Sequence, residues 1–169
     1  MNTLEKDIQE LRERLSDGVT ARAYRRILSY MSRLRTTFAE QRGEYAVSGV
    51  YQGSFDMTYF ALFPEELKER NLKLAVVFNY ASFAFEVWLA ARNRKIQREY
   101  WELFRNAGYK KHRLVEPAVG VDAIATAALV AACSMEDEDG LAARIAEDVA
   151  AFERDIVSFL SDVDAKSEP

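Results

Sequence analysis

The hydrophobic period of the chain changes twice. At the start, Leu4, Ile8, Leu11 and Leu15 recur at helical spacing, and the run Ser16–Asp17–Gly18 is a stop signal. A second helix is predicted from about Ala21 to Arg42, with Tyr24, Ile27, Leu28, Met31, Leu34 and Phe38 as its apolar stripe and arginines on the other side. The pair reads as a helical hairpin over 1–43, ended by Arg42–Gly43–Glu44.

The period then shortens toward two. YAVSGVYQG and DMTYFALF read as two strands, the second closed by Pro64, and EELKERN has room for one or two helical turns. LKLAVVFN is the most strand-like run in the chain. In FAFEVWLA, Phe83, Phe85, Val87 and Leu89 alternate with Ala84, Glu86 and Trp88. NRKIQREYWELFRNAG is helical, with Ile96, Tyr100, Leu103, Phe104 and Ala107 inward and Gly108 placed to end it. VDAIATAALVAA carries two signals. Alanine favours helix, whereas Ile124, Thr126, Ala128 and Val130 alternate as in a half-buried strand; strand is the reading adopted. A last helix over 138–163 presents Leu141, Ile145, Val149, Phe152, Ile156, Phe159 and Leu160, with acidic groups at its start that suit the helix dipole.

This order predicts an α+β fold: an antiparallel sheet of about 4–5 strands, the N-terminal hairpin, a helix after the meander and a long C-terminal helix. No linker separates two units, so 1–169 is read as a single domain, with the sheet and one helix in 44–133. The sheet should be packed on one face and polar on the other.

Composition narrows the function classes. The chain is 49% apolar, which excludes a disordered profile, and its net charge of −4 argues against a dedicated polyanion binder. One cysteine, Cys133, cannot form an internal disulfide, and it is read as a buried inert thiol; a cytoplasmic setting follows. The first twenty residues hold Glu5, Asp7, Glu10 and Glu13 where a secretory signal would be apolar, and the low-charge stretch 117–135 is interrupted by Asp122, so no membrane span is expected. Charge is uneven. Residues 92–113 carry a net +6 and residues 134–169 a net −8, so the final helix can supply counter-charge to the basic segment.

No phosphate-binding glycine motif occurs, and the lone His112, in a cationic neighbourhood, is assigned to the surface. No metal site and no cofactor are predicted. The candidate chemistry lies on the polar side of the meander, where Asp56, Thr58, Asn79, Glu86 and Trp88 would form one surface with Arg92 and Lys95 at its edge. Such a face suits a small ligand or a protein partner. Three alternatives compete with that reading. Asp56 and Glu86 could serve a hydrolase-like reaction, with or without a metal. The basic 92–113 segment, with Tyr100, Trp101 and Tyr109, could track a nucleic acid, although an internal role for those cations is favoured. The charges could also be no more than cross-strand pairs on a solvated face. A nuclease of the Asp…Glu-x-Lys type is disfavoured because Trp88 stands where the lysine belongs. A homodimer completes the expected partners.

The segments YQGSFDMTYFALFPEELKERNLKLAVVFN and FEVWLAARNRKIQREYWELF, with GVDAI and the helix after it, resemble an uncharacterised bacterial family of small soluble proteins, a domain of unknown function, over about residues 20–160. The resemblance implies a stand-alone intracellular α+β domain and carries no catalytic residues. The chain departs from it in the less polar YASFA after VFN and in the alanine-rich patch.

Overall fold

A computed structural model of the chain describes residues 3–41, 43, 46–131 and 136–167. Helices α1 (Thr3–Ser16) and α2 (Val19–Gln41) are followed by strands β1 (Ala46–Val47), β2 (Tyr51–Gln52) and β3 (Met57–Phe63), the single turn α3 (Glu65–Lys68), and strands β4 (Leu72–Asn79) and β5 (Ala84–Ala91). Then come α4 (Arg94–Asn106), β6 (Arg113–Leu114), β7 (Ala123–Ala131) and α5 (Glu138–Ser167). The sheet is antiparallel in the order β1-β3-β4-β5-β7-β6, with β2 also on β3. Among the described residues no helix is long and apolar enough to cross a membrane.

Among the described residues the sheet has seven strands, not the 4–5 expected, and the excess consists of two-residue segments. YAVSGVYQG does not form one strand. β1 meets β3 at Val47↔Leu62 and β2 meets it at Tyr51↔Tyr59, so three residues, Ser48 to Val50, oppose two. That extra residue is a bulge. Ser48 holds it, its amide donating to Ala61 O and its hydroxyl accepting from Ala61 N. Arg35 of α2 donates to Val47 O and Ser48 O, which occupies carbonyls that an edge would otherwise offer to another chain. β6 pairs with β7 through Arg113↔Thr126 and Leu114↔Ala125, a ladder too short to leave a periodic signal.

Register decides which residues share a face. Tyr59 lies beside Val77 and Val77 beside Glu86, while Phe60, Val76 and Val87 form the neighbouring row. Hence the core face carries Phe60, Leu62, Leu74, Val76, Phe78, Phe85, Val87 and Leu89, all buried. On it pack α2, with Phe38 against Phe60 and Tyr30 against Phe85, and α5 through its full predicted stripe, of which only Phe159 is partly exposed. α4 closes the layer through Phe104 against Phe159. It is capped by Asn93, whose side chain accepts from Ile96 N, and ended by Gly108 at φ 73°. Ala107 is exposed, and the buried polar member of this helix is Gln97.

Two assignments differ from expectation. His112 is largely buried against Phe152, with Nε2 3.0 Å from Asp155 Oδ2, because α5 brings that carboxylate up to the basic segment. The N-terminal pair is not a packed hairpin either, since every residue of α1 is exposed. Cys133, Arg42 and Glu44 lie outside the described residues.

Candidate functional site

Among the described residues no helix packs on the second face of the sheet. Its rows run Ala61–Ala75–Trp88–Thr126 and Tyr59–Val77–Glu86–Ala128, flanked by Lys73–Ala90 and by Met57–Asn79–Ala84. Small residues at Ala75 and Ala90 form a floor, flanked by Tyr59 and Trp88 on strands two spacings, about 10 Å, apart. The result is a pocket of ≈ 180 Å³ with Met57, Tyr59 and Trp88 as walls and Lys73, Arg92 and Asp122 at its rim. A wider cleft of ≈ 490 Å³ lies on the far side of Trp88, bounded by Asn79, Ser82, Glu86, Arg113 and Thr126. Trp88 and Asp122 border both.

The wall between the two is fixed by Glu86. Its Oε2 accepts the indole N–H of Trp88 at 2.7 Å, and its Oε1 accepts from Asn79 Nδ2 at 3.1 Å and Ser82 Oγ at 2.9 Å. Both carboxylate oxygens are thus used to hold an aromatic ring upright. On the other wall, burial first, then Tyr51 and Asp122, push the Tyr59 hydroxyl above its ordinary value, so it remains a neutral hydrogen-bond donor. The Tyr51 ring lies 5.1 Å from that of Tyr59 and steadies it.

Asp122 reaches the rim because α4 clamps the loop before β7. Arg94 Nη1 donates to Ala118 O at 2.7 Å and Val121 O at 2.6 Å, and its Nη2 stands 3.6 Å from Asp122. Buried Gln97 donates to Val121 O and Ala123 O. The two rim cations are different. Among the described residues neither the Lys73 ammonium nor the Arg92 guanidinium has an ion-pair or hydrogen-bond partner.

Of the residues singled out from sequence, Asn79, Glu86 and Trp88 come together, and Arg92 shares the smaller pocket with Trp88 alone of these three. Three do not. Thr58 is fully buried on the core face, its hydroxyl 3.1 Å from that of Tyr80, because the β3–β4 register puts it opposite Phe78. Asp56 sits in the turn between β2 and β3, where its carboxylate accepts from Met57 N and lies against Gly53, so it forms no acid pair with Glu86. Lys95 is on the solvent side of α4, 3.9 Å from Glu99, beside a separate cleft. Tyr59, Lys73 and Asp122 complete the pocket. Strand alternation puts Lys73 on the same face as Asn79, whereas nothing local in the sequence marks Tyr59 or Asp122.

Among the described residues no three His, Cys, Asp or Glu side chains converge as metal ligands would. In the basic segment, Arg94 holds the loop, Arg105 lies over the Trp101 ring at 4.6 Å, and Lys111 pairs with Asp155 at 2.7 Å.

The sequence matches, over residues 4–160, the family model described as a domain of unknown function, DUF7000. No curated protein and no solved structure matches the chain.

Proposed function

Because the chain belongs to the DUF7000 family, a domain of unknown function, its activity has to be read from its own surface, and we propose that the open sheet face binds a small organic anion with a flat apolar body. One observation carries this: an alanine-floored pocket stands between Tyr59 and Trp88, with two cations at its rim that have no partner among the described residues. Small concave sites combine apolar walls with a few placed polar groups, and this one has that composition. Lys73 and Arg92 supply charge for a carboxylate or phosphate, the ring faces supply contact area, and Asp122 disfavours an anion placed at the wrong end. The setting we infer is intracellular, since the single cysteine closes no disulfide within the chain.

The test is a fluorescence titration of Trp88 in a Trp101→Phe background, which leaves one indole. Adding 2-naphthoate should give a saturable change, and 2-naphthol, which has the same rings without the charge, a much weaker one. Equal responses, or none, would remove the proposal.

A further inference from the structure

The apolar stripe that opens the chain has no cover. Leu4, Ile8, Leu11 and Leu15 are 65%, 58%, 52% and 38% exposed, and none of α1 is buried. An isolated helix of 14 residues is marginal in water, so four large apolar side chains along one side of it form half of an interface.

The spacing says which kind. Steps of four, three and four residues put Leu4 and Leu11 at heptad position d and Ile8 and Leu15 at position a. The flanking e positions are then Glu5 and Arg12, and the g positions Asp7 and Arg14. Acids flank the first half of the stripe and bases the second. Laid antiparallel on a second copy, with Leu4 opposite Leu15 and Ile8 opposite Leu11, e faces e and g faces g. Glu5 then meets Arg12 of the copy, Asp7 meets Arg14, and the two-fold axis repeats both contacts. All four flanking pairs are attractive. A parallel, in-register pair offers only the two Asp7–Arg12 contacts and sets like charges side by side at each end. Arg14 already donates through Nε and Nη2 to Glu10 within its own helix and retains Nη1 for the copy.

We propose that α1 is a homodimerisation element that pairs antiparallel with α1 of a second copy. A lipid surface fits less well. With Glu5, Asp7, Glu10 and Glu13 against Lys6, Arg12 and Arg14, the helix has no cationic face to draw it to anionic headgroups.

Sedimentation equilibrium of the full chain, at concentrations up to about 1 mM, the weak end of specific association, tests this. The mass should rise toward twice 19.3 kDa. Ile8→Asp with Leu11→Asp should hold it at the single-chain value with little change in thermal unfolding at dilution, because neither side chain belongs to the buried core of its own chain. Glu5→Lys with Asp7→Lys, and separately Arg12→Glu with Arg14→Glu, should each weaken self-association about ten-fold or more, and mixing the two variants should restore it. Three results overturn the proposal. One is a single-chain mass throughout, which would assign the stripe to a different protein or a lipid; the others are a dimer that survives Ile8→Asp with Leu11→Asp, and charge variants that associate like the parent.

Discussion

Trp88 donates its indole N–H to Glu86, two residues earlier on the same strand, across 2.7 Å. Alternation alone puts the two side chains on one face, and the hydrogen bond then fixes the ring as a wall between two concavities. A half-buried carboxylate accepting three donors is thus a positioning group for an aromatic surface.

Glu86→Gln should disturb that wall more than its size suggests. An amide oxygen can still accept from Asn79 and Ser82, but its NH₂ group then confronts the Trp88 N–H. The expected cost is about 1–2 kcal/mol, below the full range for charged hydrogen bonds because the site is partly solvated. Urea unfolding measures it. Adding Trp88→Phe to the same chain should recover part of the loss, since it removes the orphaned donor.

Gln97→Leu tests the clamp on the rim. It strips the side-chain donor from Ala123 O, while Val121 O keeps Arg94, and an expected loss of about 1–3 kcal/mol follows from weakening these buried contacts. Limited proteolysis should quicken at Val119, whose side chain is wholly exposed. Affinity for 2-naphthoate should change as well, because the loop that carries Asp122 is then held by Arg94 alone.

Asp155 makes stability depend on pH in the acid range. The Lys111 hydrogen bond, opposed by burial and reinforced by His112, holds its carboxyl below the ordinary value of 3.8. A carboxyl depressed in the folded state contributes fully above its unfolded pKa, and the contribution is lost as pH falls through the lower folded value. Asp155→Asn should therefore destabilise the protein near pH 7, and the gap to the parent should close below about pH 4. Denaturation midpoints across that range give the answer, and a gap that widens in acid would refute the assignment.

Tyr109 carries the opposite kind of polar group. Its hydroxyl is buried and has no hydrogen-bond partner among the described residues, and burial chiefly, with Asp155 adding, raises its pKa. Tyr109→Phe should cost nothing and could gain about 1 kcal/mol, because it removes a desolvated donor while keeping the ring contacts with Phe104 and Phe159. A melting temperature several degrees below the parent would show that the hydroxyl is bonded.

The long elements were legible in the sequence because each carries its own period. The α5 stripe, the β5 alternation and the strand character of 123–131 all follow from one-dimensional pattern. What was not legible depends on register and on contacts distant in the chain. Asp56 and Thr58 looked like partners of Glu86, yet the Tyr59↔Val77↔Glu86 register aligns odd positions of β3 with even positions of β5, which sends Thr58 into the core. The bulge at Ser48 divides an edge strand that reads as continuous. The cationic sequence neighbours of His112 predict a surface position, whereas Asp155, 43 positions later, determines its place. Asp122 enters the pocket only through a loop that Arg94 and Gln97 tie down.

The binding claim is tested most directly by the indole N–H resonance of Trp88 during a 2-naphthoate titration. A ligand seated on the alanine floor should shift that signal saturably, and Lys73→Met with Arg92→Met should abolish the shift while leaving the free-state resonance in place. A Trp88 signal that stays fixed while 2-naphthoate binds elsewhere, or that moves equally in the double variant, would contradict it.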